Sequence, residues 1–90
     1  MTKAELVNAI AIETGYDKVT ILNIVESGMN QIKRSVAKDE SVYLRSFGSF
    51  IAKQRKEKIA RDISKNISVV VPAHKGPAFK PAVEFAKAVL

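Results

Sequence analysis

The chain reads as a small α+β protein: two N-terminal helices, a three-stranded antiparallel sheet with a long β-ribbon arm, and a short C-terminal helix. Three observations carry that reading. Residues 1–38 repeat apolar side chains at helical spacing. Residues 41–71 switch to β-compatible runs bounded by turn residues. Residues 81–89 return to helical spacing behind a proline. One domain, 1–90, is expected, with a helical base over 1–38, sheet and arm over 41–72 and a last helix over 81–89.

The first helix is expected over residues 2–14. Thr2 and Glu5 have capping-box spacing. Leu6, Val7, Ile10 and Ala11 follow the helical period, and Gly15 suits the left-handed position after a helix. A second, longer helix spans 18–37 with Asp17 as its N-cap. Ile21, Val25, Met29, Ile32 and Val36 form one stripe, widened by Leu22 and Ile24. That face is too broad for one short helix to cover. Gly28 costs about 1 kcal/mol inside it relative to Ala; it either permits close approach of another backbone or is incidental. The Gly15-Tyr16 joint also has helix-turn-helix spacing, but the full-length apolar stripe favours a core helix over one lying in a groove.

Lys38-Asp39-Glu40 turns the chain into a strand at 41–45, with Val42 and Leu44 toward the core. Ser46-Phe47-Gly48-Ser49-Phe50 is a turn with two aromatic anchors, and Gly48 suits a tight bend. The next strand leaves Phe50 for the ribbon, whose tip is Asp62-Ile63-Ser64-Lys65-Asn66. The ribbon returns through Ile67 to Val71, and Pro72 stops the ladder because it lacks an N–H. Residues 73–76 read as loop. Pro77-Ala78-Phe79 leads into the last helix, with Pro81 in its first turn and Ala82, Phe85, Ala86 and Val89 on its apolar face.

Ninety residues support a thin core, and an apolar fraction of 47% is that of a folded chain. Cysteine is absent, which excludes disulfides and thiolate metal sites. A small chain without such staples commonly gains core by oligomerising. No apolar run approaches the roughly 18 residues that span a membrane. Met1-Thr2-Lys3-Ala4-Glu5-Leu6 contains no long apolar h-region, so a cytosolic location is expected.

The net charge of +6 is unevenly placed. Residues 1–44 carry five Lys/Arg against six acids; residues 45–90 carry ten against three. Such asymmetry points to a polyanion, nucleic acid or an anionic membrane surface. Catalysis has no support. His74 is a lone histidine in an expected loop, an ordinary surface residue, with no Cys or second His to build a metal site or triad. No glycine-rich phosphate loop follows a strand. The chain is therefore expected to be no enzyme and to need no cofactor or metal.

The ribbon does carry a binding mechanism. Lys53, Arg55, Lys56, Lys58, Arg61 and Lys65 face only Glu57 and Asp62. From Lys53 to Lys65 an extended chain spans about 40 Å at roughly 3.3 Å per residue. A domain of this size is only about 30 Å across, so the ribbon is expected to project. Period-two counting puts Lys53, Arg55 and Arg61 on one face and Lys56 and Lys58 on the other. Cations on both faces suit a ribbon lying in a duplex groove and reaching phosphates on either wall. Asn and Gln are sparse in the ribbon, so base reading is expected to be weak.

Phe47-Gly48-Ser49-Phe50, the basic arm ending in Arg61, and Pro77-Ala78-Phe79 before the last helix make the chain resemble the bacterial histone-like HU and integration host factor family. The resemblance covers all 90 residues. It implies an intertwined homodimer whose two arms embrace duplex DNA, bend it through the minor groove and compact the nucleoid. By resemblance, Lys53, Arg55, Lys56, Lys58, Arg61 and Lys65 are arm contacts. Lys3, the turn Arg45-Ser46-Phe47-Gly48, and Lys75 are body contacts to phosphate. The family usually has Arg-Asn-Pro at the tip, with proline as a wedge; this chain has Arg61-Asp62-Ile63. Isoleucine is itself a wedge-type residue, whereas Asp62 brings a negative charge near phosphate. Two other readings stand beside this one. The chain is a subunit like integration host factor, with a paralogous partner and preferred sites, or it is a basic interaction module for RNA or an acidic protein.

Overall fold

A computed structural model gives the fold and describes residues 1–62 and 64–90. The elements in chain order are α1 (Lys3–Thr14), α2 (Lys18–Ala37), β1 (Val42–Leu44), β2 (Gly48–Arg55), β3 (Lys58–Asp62), β4 (Ile67–Val71), β5 (His74–Pro81) and α3 (Val83–Val89). The chain divides into two compact units, 1–34 and 35–90.

In the first unit the helix ends are set by local chemistry. The Thr2 hydroxyl accepts from the Glu5 backbone N–H at 3.2 Å. Gly15 closes α1 at φ 79°, a left-handed conformation that costs glycine little, and its N–H donates to Ala11 C=O. The Asp17 carboxylate accepts from the backbone N–H groups of Val19 and Thr20, each at 3.1 Å, and from the Thr20 hydroxyl. Val7 on α1 and Ile21 on α2 are the buried apolar side chains, 5% and 4% exposed. The rest of the α2 stripe is only partly covered: Leu22, Ile24 and Met29 are exposed. A Cβ at Gly28 would meet nothing within 4 Å, so within this chain no backbone uses the opening.

The second unit holds two sheets. β1, β2 and β5 form a three-stranded antiparallel sheet in the order β1-β2-β5; β3 and β4 form a separate two-stranded ribbon. β5 corrects the loop expected after Pro72. It pairs with β2 along eight residues, from Gly48↔Pro81 to Arg55↔His74. Pro77 and Pro81 share strand parity, so their missing N–H groups fall on one side. An edge strand tolerates that, because only its inner side feeds the ladder. The last helix accordingly begins at Val83, with Ala82 as N-cap and Pro81 still in the strand.

The bend between β1 and β2 also differs from expectation. Phe47 N–H donates to Leu44 C=O at 3.0 Å, and Ser46 takes the left-handed backbone at φ 68°. Gly48 is needed for space instead. A Cβ there would lie 2.5 Å from Phe79 Cζ and 2.7 Å from the Lys80 backbone oxygen. The Phe79 ring occupies that gap and joins all four phenylalanines: Phe50–Phe79 at 4.9 Å, Phe47–Phe85 at 5.1 Å, Phe47–Phe79 at 5.4 Å and Phe79–Phe85 at 5.8 Å between ring centres. Their tilted and edge-on geometry is the arrangement aromatic quadrupoles favour. No described helix is long and apolar enough to cross a membrane.

Candidate nucleic-acid interface

Strand alternation separates the chemistry of the three-stranded sheet into two faces. One face carries Val42, Leu44, Phe50, Ala52 and Phe79, and holds the aromatic cluster. The other carries Tyr43, Ser49, Ile51, Lys53, Arg55 and Lys80. Gly76 lies on this second face, and a Cβ there would sit 3.6 Å from Arg55 Nε. The Arg55 side chain therefore passes over the strand where it has no side chain. Arg45 stands exposed in the adjoining turn. The result is a sheet face with lysines, arginines and no described carboxylate.

The ribbon continues the charge but not the geometry. The chain leaves strand pairing at Lys56-Glu57 on one side and Pro72-Ala73 on the other. Period-two counting cannot be carried across that interruption, so the shared face expected for Lys53, Arg55 and Arg61 is not fixed by parity. Within the ribbon, Ile59, Arg61, Ser68 and Val70 share one face; Lys58, Ala60, Val69 and Val71 share the other. Both faces are open along most of their length. Near the tip Arg61 Nη2 donates to Asn66 Oδ1 at 2.6 Å, and Asn66 takes φ 51°. Ile63, the expected wedge, lies outside the described residues.

Two body lysines are engaged by acids. Lys3 Nζ donates to Glu26 Oε1 at 2.5 Å. That hydrogen bond, then the lysine's charge, holds the Glu26 carboxyl below the usual range. Lys75 Nζ donates to Asp39 Oδ2 at 2.6 Å. By parity Lys75 belongs to the aromatic side of the sheet, so the structure does not bring it together with Lys53 and Arg55. Lys80 is the residue sequence reasoning missed. It pairs with Ser49 on the basic face. The signal was the alternation of Ala78 and Lys80 with Pro77, Phe79 and Pro81, hidden because prolines read as punctuation. Among the described residues no cluster of His, Cys, Asp or Glu is arranged to hold a metal ion.

Known proteins resemble the chain in both sequence and fold. The family model described as bacterial DNA-binding protein matches residues 1–90. DNA-binding protein HU of Geobacillus stearothermophilus is 33% identical over 81 residues, 90% of either chain. Integration host factor subunit alpha of an Anaeromyxobacter strain is 26% identical over 82 residues, 91% of this chain and 83% of that one. Anabaena HU, solved in a DNA cocrystal, superimposes with a TM-score of 0.89 at 30% identity, covering 99% of this chain and 97% of that one. An HU variant from Thermotoga maritima gives 0.77 at 26% identity over the full length of both. The chain therefore belongs to the bacterial DNA-binding protein family of HU and integration host factor.

Proposed function

We propose that this chain is a histone-like protein that binds duplex DNA as a homodimer, with little sequence preference, bends it and compacts the bacterial nucleoid in the cytoplasm. The observation that carries the reading is the union of a cationic sheet face, free of described carboxylates, with a basic ribbon whose described side chains stand largely exposed. Phosphate is the ligand such surfaces suit, and release of condensed counterions supplies the affinity.

Lys53, Arg55, Lys56, Lys58, Arg61 and Lys65 take phosphates along the arm. Arg45, Ser46, Phe47, Gly48 and Lys80 position the backbone on the body. Lys3 and Lys75 join after exchanging Glu26 and Asp39 for phosphate. Ile63 enters a base step as the wedge. Unstacking a step costs a few kcal/mol, offset by the added contacts a bent duplex makes. Dimerisation follows from the uncovered α2 stripe and from exposed Leu44, Phe47 and Phe79. An obligate dimer unfolds at a midpoint that rises with protein concentration.

The test is titration of a short mixed-sequence duplex at several salt concentrations. Log affinity falls linearly with log salt. In a variant carrying Arg55→Ala, Lys58→Ala and Arg61→Ala together, the slope flattens by about 0.9 for each phosphate no longer neutralised. Unrelated sequences lose affinity alike. Unchanged affinity would remove the arm from the interface.

A further inference from the structure

We infer that Tyr43 is a stacking platform for an unpaired nucleobase, so that the sheet's basic face holds a single-stranded DNA segment as well as duplex phosphates. The choice of DNA as ligand rests on the function proposed above; the site itself rests on separate observations. Tyr43 is the middle residue of β1, the edge strand. Its side chain lies on the cationic face and is 76% exposed. Among the described residues its ring packs against no other aromatic, while all four phenylalanines are clustered on the opposite side.

The surroundings are arranged for a nucleotide. Tyr43, Ser49 and Lys80 stand side by side in one cross-strand row. Neighbouring strands are about 4.8 Å apart, so the small Ser49 leaves a gap between the ring and the lysine stem. Tyr43, Arg45, Ser49 and Lys80 line one side of an open groove of about 530 Å³, and Leu44, Pro81, Ala82 and Val83 line the rest. Arg45 and Lys80 supply cations for the flanking phosphates. The tyrosine supplies a π-face, which intact duplex cannot use because its bases are already stacked. An unpaired base can use it, at the strength usual for base–aromatic stacking.

The test compares an oligothymidylate of about twelve nucleotides with an abasic strand of the same length, which keeps the phosphates and lacks the bases. Duplex is titrated in parallel. The native protein and the Tyr43→Phe variant should favour oligothymidylate about fivefold or more. The Tyr43→Leu variant should bind both strands alike. The chain has two tyrosines and no tryptophan, so in a Tyr16→Phe background the emission reports Tyr43 alone. Oligothymidylate should quench it and the abasic strand should not. Equal native affinity for the two strands, or a base preference kept by Tyr43→Leu, would overturn the stacking site while leaving duplex binding intact. Failure of the native protein to bind duplex, with a Tyr43-dependent base preference retained, would overturn the proposed function and leave this site standing.

Discussion

Phe50 and Phe79 face each other across β2 and β5 with ring centres 4.9 Å apart, and Phe47 and Phe85 close around Phe79. The matching cross-strand pair in the ribbon is Ile59 and Val70. Those two side chains are 74% and 56% exposed. Both regions are antiparallel ladders of similar strand chemistry. A two-stranded ladder without a covered face is marginal in water. The sheet therefore carries an aromatic cluster of its own, while the ribbon keeps its apolar surface for something outside the chain. A DNA groove, lined by sugars between charged walls, matches a ribbon of Ile and Val interleaved with Lys and Arg.

The largest expected effects break the sheet side of that contrast. Gly48→Ala drives a methyl into the Phe79 ring and the Lys80 carbonyl, and should cost about 3 kcal/mol, the upper part of the overpacking range. Phe79→Ala, which removes the ring shared by the whole cluster, should cost about 3 kcal/mol. Ile59→Ala should change stability by no more than about 0.5 kcal/mol, as for an exposed residue. Urea unfolding of the three variants measures the contrast; an Ile59→Ala loss as large as that of Phe79→Ala would abolish it.

A smaller effect sharpens the ribbon side. Ile63→Ser should reduce bending of an end-labelled duplex, read by energy transfer, while the salt slope is kept because every cation remains. An unchanged bend would leave Ile63 with no role as a wedge.

The smallest effect lies in the helical unit. The Thr20 hydroxyl, then the Thr20 and Val19 backbone N–H groups, hold the Asp17 carboxyl below its ordinary value. A group depressed in the folded state contributes stability above its unfolded value and loses it as pH falls through the folded one. Asp17→Asn should therefore flatten the acid limb of stability below about pH 4 and leave its shape near neutrality unchanged. Identical acid limbs would remove Asp17 as a contributor.

The features legible in the sequence were those set by neighbours along the chain. Thr2, Gly15 and Asp17 mark helix ends because capping acts within four residues. The exposed basic ribbon was legible from charge and alternation. β5 was not, since Gly76, Pro77 and Pro81 signal turns until the strand is known to be at an edge. Lys80 went unnoticed with it. The purpose of Gly48 was misread for a similar reason: its constraint comes from Phe79, which is distant in sequence. The break at Lys56-Glu57 leaves no mark within the consecutive charged residues Arg55-Lys56-Glu57-Lys58.

Backbone hydrogen exchange with and without duplex tests most directly the claim that the ribbon is held for DNA. In the free protein the amides of β3 and β4 should exchange much faster than those of β2, because local opening of an uncovered ladder costs little. Added mixed-sequence duplex should slow exchange at Ile59, Val69 and Val70 markedly and change Ile51 and Ala52 far less. Ribbon amides already as slow as those of β2 in the free protein, and unmoved by duplex, would contradict the account.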